Sequence, residues 1–293
     1  MPAVTRLVLT LVGAVVAGLT LAACGGDDGT LGTADPEAQR APSNALEHVH
    51  GLGINPRDGA LMIATHSGLF RAARGDPKAV AFGQSSQDVM GFSVLGPNRF
   101  IGSGHPAPQQ SSLPPNLGLI ESGDGGQTWQ PVSLRGEADF HVLESSGRQV
   151  YGFDGTQGRL MVSRNGGRDW TQRTAPAVPI ALAIDPTDPA RTVASTSEGL
   201  YSSADAGRSW RRSRPGPPGL LAWPRADRLL LIDGQGRVHL STDAGKRLRT
   251  VGSIGGQPAA FVAHADDLYA ALADGTVQRS SDGGRSWRLR AAP

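Results

Sequence analysis

SGDGGQTW, residues 122–129, is an eight-residue segment that the chain repeats four more times with small changes. It joins turn-forming Ser, Asp and Gly to a large apolar Trp. The five opening serines are 41, 40, 38 and 39 residues apart, and a fixed period near forty predicts a propeller or a solenoid. We call these five segments the repeat turns; the other four are SRNGGRDW (163–170), SADAGRSW (203–210), STDAGKRL (241–248) and SSDGGRSW (280–287).

Before each repeat turn lies the same series of short alternating strands and turns. IALAIDPTDPARTVASTSEGLYSS (180–203) corresponds nearly residue for residue to GLGINPRDGALMIATHSGLFRA (51–72), which no repeat turn follows. The latter is therefore a sixth copy, with Phe70 in the place of Tyr201. Four strands per copy and Asp-Gly-Gly turns, typical of antiparallel hairpins, predict an all-β, six-bladed β-propeller over residues 46–293. Counting alone leaves a seventh blade open.

The overall composition is that of a globular protein rich in turns. Hydrophobic residues make up 39% and charged residues 18%, with 40 glycines and 21 prolines, which favours β structure over helices. The formal net charge is +2, and the arginines are scattered rather than clustered. Nucleic-acid binding needs a basic face, so we expect no nucleic-acid partner.

The N-terminal residues differ from the rest of the chain. Arg6 precedes the apolar run LVLTLVGAVVAGLTLAA, which ends at Cys24, the only cysteine. This order is typical of an export signal, with an uncleaved anchor helix as the alternative. We predict a signal peptide over residues 1–23 and a polar tether over residues 24–45, rich in Gly, Asp, Pro and Ala.

The repeat turns resemble the Asp-box, or bacterial neuraminidase repeat, with its pattern Ser-x-Asp-x-Gly-x-x-Trp. The resemblance implies that the Asp or Asn fixes the turn, that the Trp lies between neighbouring sheets, and that these turns lie opposite the ligand face. Leu248 departs from the pattern in the fourth turn. The structural residues are Asp124, Trp129, Asn165, Trp170, Asp205, Trp210, Asp243, Asp282 and Trp287.

A second resemblance concerns residues 46–130. EHVHGLGINP (47–56), ATHSGLFR (64–71) and DVMGFSVLGP (88–97) look like segments of exported bacterial lipoproteins labelled glycosylhydrolase-like, within the sialidase-like and sortilin-like group. Leu21-Ala22-Ala23-Cys24 likewise resembles a lipobox. The resemblance implies lipidation of Cys24 and a membrane anchor on the outer face of the cell membrane. It leaves function open, because relatives of this kind include both enzymes and protein-binding factors.

Chemistry-bearing residues gather at one predicted face of the first three blades. Five of the seven histidines enter a first strand or the loop between second and third strands there. Side chains two residues apart on a strand lie on the same side of it, as we expect for His48 and His50. The candidate ligands on this face are His48, His50, His66, Asp88, Met90, His105 and His141.

Three hypotheses fit this cluster. Histidine is the commonest metal ligand, and methionine adds a soft donor. We therefore expect His50, His66, His105 and Met90 to converge on a copper(I) ion or another transition metal. His48 and His141 would orient these ligands or take the place of one of them. The alternatives are a pocket for a polar ligand and ordinary polar lining of a wet channel.

Catalysis has less support in the sequence. The arginine triad and the Arg-Ile-Pro element that a sialidase would carry are not found, and the three tyrosines lie within predicted strands away from the ligand face. Hydrolysis by two carboxylates would have to use Glu47, Asp88 or Asp139. We predict a non-catalytic ligand- or metal-binding lipoprotein, with a glycosidase as the first alternative and a protein-docking scaffold as the second.

Overall fold

Alternating apolar strands and tight glycine turns build six antiparallel sheets of four strands each. The computed structural model describes residues 46, 48–84, 86–213 and 216–292. Within them each sheet is one contiguous stretch of chain, with strands paired in sequence order. This confirms the predicted all-β, six-bladed propeller. The predicted signal peptide, Cys24 and the tether lie outside the described residues.

The strands are numbered along the chain, four to a blade. Blades 1 and 2 contain β1 (Val49–Ile54), β2 (Leu61–Thr65), β3 (Gly68–Ala72), β4 (Val80–Phe82), β5 (Asp88–Gly96), β6 (Arg99–His105), β7 (Leu119–Ser122) and β8 (Gln130–Ser133). Blades 3 and 4 contain β9 (Phe140–Ser146), β10 (Gln149–Asp154), β11 (Arg159–Ser163), β12 (Thr171–Arg173), β13 (Pro179–Asp185), β14 (Asp188–Thr196), β15 (Gly199–Ser203) and β16 (Arg211–Arg212). Blades 5 and 6 contain β17 (Gly219–Arg225), β18 (Arg228–Asp233), β19 (Arg237–Ser241), β20 (Arg249–Ser253), β21 (Pro258–His264), β22 (Asp267–Leu272), β23 (Val277–Ser280) and β24 (Arg288–Ala291). A 3-10 helix (Pro108–Gln110) lies in the long blade 2 loop.

The core of the protein lies between the blades. The first strands of neighbouring blades contact one another around the ring, and β1 also contacts β21, so the ring is closed. Between blades 1 and 2, for example, Leu69, Phe92 and Phe100 are buried together, and Trp129 packs against them. The corresponding residues of the other repeat turns, Trp170, Trp210, Leu248 and Trp287, pack against the clusters shared with the preceding blade.

Each repeat turn connects the third and fourth strands of a blade and is held by its own serine and acid. In the first turn, the Ser122 hydroxyl accepts a hydrogen bond from the Gly126 N–H at 2.8 Å and donates to Asp124 at 2.8 Å. Asp124 also accepts from the backbone N–H and the hydroxyl of Thr128, at 3.0 and 2.6 Å. The serine and its acid or amide make the same pair of bonds in all five turns.

In the second repeat turn, one side-chain hydrogen bond has its donor and acceptor exchanged. Asn165 stands where the other turns have Asp, and its amide donates to Asp169 Oδ2 at 2.6 Å. Thr128, Ser209 and Ser286 occupy the position of Asp169 in the first, third and fifth turns, and there the hydroxyl donates to the Asp. The two departures from the pattern compensate each other, and the hydrogen bond is kept.

Blade 1 has no repeat turn, and the joint between blades 6 and 1 is closed by the C-terminal residues. The Arg290 guanidinium donates to the carbonyls of Ala72, Ala73 and Asp76 at 3.2, 2.9 and 2.8 Å. Lys78 and Ala292 form a parallel bridge. Leu46 and Ala291 are buried in the same cluster, which both blades share.

In the part of the chain that the structure describes, no helix has the length and apolar character needed to span a membrane.

Candidate functional site

A β-bulge at the start of the innermost strand positions the central residues of the site. In blades 1, 2 and 3 the pairing between first and second strands skips one residue, which is His50, Met90 and His141 in turn. A bulged residue leaves the ladder, and its side chain is redirected. These three side chains line the central channel and also the cavity at its mouth.

Blades 4 and 6 use the same bulge without metal-binding residues. The skipped residues there are Ile180 and Ala259, and blade 5 has no shift at this position. Val178 occupies the position that Asp88 and Asp139 hold in blades 2 and 3, and it is 69% exposed. Among the described residues, those that line the cavity at the mouth therefore all come from blades 1 to 3.

The mouth cavity has a volume of about 350 Å³. The starts of the first strands of blades 1 and 2 each supply two residues on either side of a buried one. The others are one residue of β9, the last residue of β6 and the residue that follows β2. The structure brings all seven candidate ligands together around this cavity. They are His48, His50, His66, Asp88, Met90, His105 and His141.

Around Asp88 two histidines from blade 1 form a first cluster. His66 Nδ1 lies 2.7 Å from Asp88 Oδ2, and His50 Nε2 lies 3.6 Å from Asp88 Oδ1. One ligand atom from each of the three residues lies within 4.8 Å of the others. The Asp88 side chain is only 10% exposed, whereas that of His66 is 67% exposed. His105 is not part of this group, although the sequence predicted that it would join His50 and His66.

Two buried atoms of the first cluster lack hydrogen-bond partners. Neither His50 Nε2 nor Asp88 Oδ1 has a partner among the described residues. Burial lowers the pKa of His50 from its usual value, and the nearby Asp88 carboxylate only partly opposes this effect. His50 is therefore neutral at pH 7, and a neutral imidazole is the form that binds metals.

Asp139 forms a second cluster with histidines from blades 2 and 3. His141 Nε2 lies 2.7 Å from Asp139 Oδ2, and His105 Nε2 lies 3.4 Å from the same oxygen. The hydrogen bond to Asp139 raises the pKa of His141. From the sequence, Asp139 is expected only as an acid for glycoside hydrolysis. Its position two residues before the bulged His141, matching Asp88 before Met90, was the signal for a role in the cluster.

Two further predicted residues lie at the edge of these clusters. The ring of His48 is 6.3 Å from that of His66, centroid to centroid, and His48 has a left-handed backbone with φ of 58°. Met90 lies in β5 and lines the same cavity. Both are near enough to the cavity to contribute to a ligand there without being held by an ion pair.

Below the mouth, the channel continues as a cavity of about 430 Å³. Among its described lining residues the only acid is Glu144, and burial raises the pKa of Glu144 to about 8. Glu144 is therefore protonated at pH 7.

Comparison with known proteins identifies the fold but not the family. No protein-family profile matches the chain, and no curated protein sequence resembles it. Solved structures do match it. An ancestral GH74 enzyme superposes with a TM-score of 0.56 at 13% identity, over 85% of this chain and 39% of that enzyme, so the chain spans about two fifths of its length.

Two further matches are closer to this chain in length. A chain of the nidogen/laminin complex gives a TM-score of 0.60 at 13% identity, over 79% of this chain and 96% of that one. YCF48 from Cyanidioschyzon merolae gives 0.50 at 14% identity, over 86% of each chain. At these identities the likeness shows the shared fold, a β-propeller, and nothing about the chemistry of the mouth.

Proposed function

We propose that this protein is a non-catalytic metal-binding propeller that takes up a divalent transition-metal ion at His50, His66 and Asp88. The proposal includes a lipid on Cys24 that anchors the protein to the outer face of the cell membrane. The metal site then faces the cell's surroundings, where an exported protein can take up or sense metal ions.

One observation carries the metal site. His50 Nε2 and Asp88 Oδ1 face each other at 3.6 Å, and both are buried without a partner among the described residues. Two ligands about 2.0–2.2 Å from one tetrahedral ion lie about 3.4 Å apart. The pair is too distant for a hydrogen bond and well spaced for a shared cation.

The donor set points to a divalent ion rather than copper(I). A copper(I) site would need the predicted three imidazoles and a thioether, whereas the clustered atoms are two imidazole nitrogens and a carboxylate oxygen. Carboxylates are hard ligands, and this mixture suits zinc(II) or copper(II). Met90 remains close enough to add a soft donor.

The same geometry argues for binding over glycoside hydrolysis. Asp88 and Asp139, the described acids that such a mechanism would use, are each flanked by two histidines. A glycosidase needs one carboxyl that protonates the leaving group and one that acts as base or nucleophile. Carboxylates held by histidines suit an ion instead.

Titration of the full-length chain with zinc(II), and separately with copper(II), tests the site. We expect His66→Ala to weaken binding at the first cluster at least tenfold, because it removes one of three ligands. The His66 side chain is mostly exposed, so its loss should leave the fold intact. His264→Ala, in the first strand of blade 6, is the matched control and should bind as the parent does. Unchanged affinity in both His66→Ala and His50→Gln would overturn the proposal.

The anchor has a separate test. Cys24→Ser removes the predicted lipid attachment, so we expect the protein to leave the membrane fraction. Membrane association that persists in this variant, with lipid still attached to the chain, would contradict the anchoring part alone.

A further inference from the structure

We infer that the mouth holds a second cation position, formed by His105 and Asp139 between blades 2 and 3. It extends the proposed function from one ion to two but depends on different residues from the first site. The cation is a divalent transition-metal ion, because the donors are again imidazole nitrogen and carboxylate oxygen.

The hydrogen bonding of His105 fixes its tautomer. His105 Nδ1 lies 2.8 Å from the carbonyl oxygen of Pro115. A carbonyl only accepts, so Nδ1 carries the proton, and Nε2 of the neutral ring presents a lone pair. Metal-binding histidines commonly donate their second N–H to a backbone carbonyl in this way, which orients the ring.

That lone pair faces another acceptor. His105 Nε2 is 3.4 Å from Asp139 Oδ2. Two acceptors at this distance repel unless a cation or an extra proton lies between them. The separation is the one expected, about 3.4 Å, for nitrogen and oxygen ligands of one tetrahedral ion.

Asp139 itself has unused capacity to bind. Its side chain is 4% exposed, and its Oδ1 atom has no hydrogen-bond partner among the described residues. Only Oδ2 is held, by His141 Nε2 at 2.7 Å. Buried carboxylates normally use both oxygens, since an unpaired buried charge is costly. A cation held by His105 Nε2 and Asp139 would compensate the buried charge of this carboxylate, while His141 orients it.

The rigid surroundings of His105 favour a defined site. His105 ends β6, where its backbone pairs with Asp88 of β5. The proline-rich loop that follows returns to the sheet, where the Leu117 N–H donates to the Gly104 carbonyl at 2.9 Å. One ligand of each ion position, Asp88 of the first and His105 of the second, therefore lies on paired strands of blade 2.

Counting bound zinc tests the inference. The full-length chain is stripped with a chelator, loaded with zinc(II), freed of excess metal by gel filtration and analysed for zinc per chain. We expect two zinc ions in the parent chain, one in His105→Gln, one in His66→Ala and none in the double variant. His264→Gln should keep two. Thermal unfolding of each metal-free variant shows whether it is folded.

The other outcomes separate this inference from the proposed function. One zinc in the parent chain, lost in His66→Ala and kept in His105→Gln, would mean that an extra proton rather than a metal ion lies between His105 and Asp139, and only the second position would fail. One zinc lost only in His105→Gln would overturn the proposed function and support the second position. One zinc lost in either variant alone would mean a single shared ion and overturn the second position. No bound zinc in the parent chain would overturn both.

Discussion

The repeat turns and the mouth are both clusters of polar side chains, on opposite faces of the disc, but they differ in how far their hydrogen bonds are satisfied. In the first turn, Ser122 and Asp124 bond each other and the surrounding backbone. At the mouth, buried atoms of His50, Asp88 and Asp139 have no partner among the described residues. The serine and its acid or amide are satisfied within every turn and stabilise the fold. The mouth is incomplete, which is the condition expected of a site whose partner is a ligand.

The largest effect should come from a change in a repeat turn. Gly126 has φ of 95°, and a Cβ there would lie 2.4 Å from Leu69 Cδ2 in blade 1. We expect Gly126→Ala to lower the free energy of unfolding by about 3 kcal/mol, from backbone strain and overpacking together. Urea unfolding measures the loss, and zinc binding by the folded chain should not change.

Gly123→Ala in the same turn is the matched control. No heavy atom lies within 4 Å of its Cβ position, and its φ is not positive. We expect a change within about 0.5 kcal/mol. Equal losses in the two variants would show that the turn does not depend on its contact with blade 1.

The second prediction concerns the mouth, where binding and stability should respond in opposite directions. Asp88→Asn removes the carboxylate ligand, so we expect zinc affinity to fall at least tenfold, or about 1.4 kcal/mol. The metal-free chain should unfold at the same or a higher urea concentration, because a buried carboxylate with an unpaired oxygen is replaced by a neutral amide.

Ser122→Ala provides the contrast. Its hydroxyl is buried and bonded, so we expect a loss of about 1–2 kcal/mol in the free energy of unfolding with zinc binding unchanged. If Asp88→Asn destabilised the metal-free chain as much, the difference between the two faces would not hold.

The third prediction sharpens the account of the turns themselves. Asn165→Asp would place a second carboxylate where the amide now donates to Asp169, and we expect a loss of about 1–2 kcal/mol. Adding Asp169→Ser recreates the arrangement of Asp205 with Ser209 and should restore most of the loss. A double-mutant cycle by urea unfolding should give a coupling of about 1 kcal/mol. If the effects of the two substitutions simply add, the hydrogen bond between Asn165 and Asp169 does not couple them.

The smallest expected effect is a pH dependence. Desolvation alone would raise the pKa of Asp124, but bonds from Thr128, Ser122 and Gln127 outweigh it and lower the pKa from 3.8 to about 2. A group with a depressed folded-state pKa stabilises above its unfolded pKa and loses this contribution as pH falls through the folded value. The contribution should thus be complete above about pH 4 and fade toward pH 2.

Unfolding measured at several pH values checks this expectation. Asp124 is close to solvent, so the contribution should be a few tenths of a kcal/mol. Asp124→Asn should flatten the fall in stability between pH 4 and pH 2, whereas the same change at the exposed Asp227 should not. If stability falls between pH 4 and pH 2 as steeply in Asp124→Asn as in the parent, the pH dependence does not come from this turn.

Most of the fold could be predicted from the sequence because every blade is a contiguous unit. A period near forty and a turn with fixed chemistry are local signals, and they identify a blade without knowledge of its neighbours. The correspondence of Phe70 with Tyr201 extended the count to blade 1, and both residues occupy the middle of a third strand. The exchange of donors between Asn165 and Asp169 was missed, since it appears only when the side-chain bonds are known.

The site was predictable in membership but not in pairing. Strand register alone places His50 and Met90 at matching positions, and the structure puts both at the channel mouth. The sequence shows neither the bulge that redirects them nor the division into two clusters. His105 faces Asp139 rather than His66 because the loop carbonyl of Pro115 fixes its ring, a contact between residues ten positions apart in an irregular loop. The export signal and lipid anchor stay predictions.

The joint between blades 6 and 1 has a consequence for rearranging the chain. Leu46 and Ala291 share one buried cluster, so the two ends of the folded part lie near each other, and no sheet combines strands from both ends. Proteins with adjacent termini commonly tolerate circular permutation. Joining the ends by a short linker and opening the connection at residues 174–178, between blades 3 and 4, would keep every blade whole and every mouth residue on one uninterrupted segment.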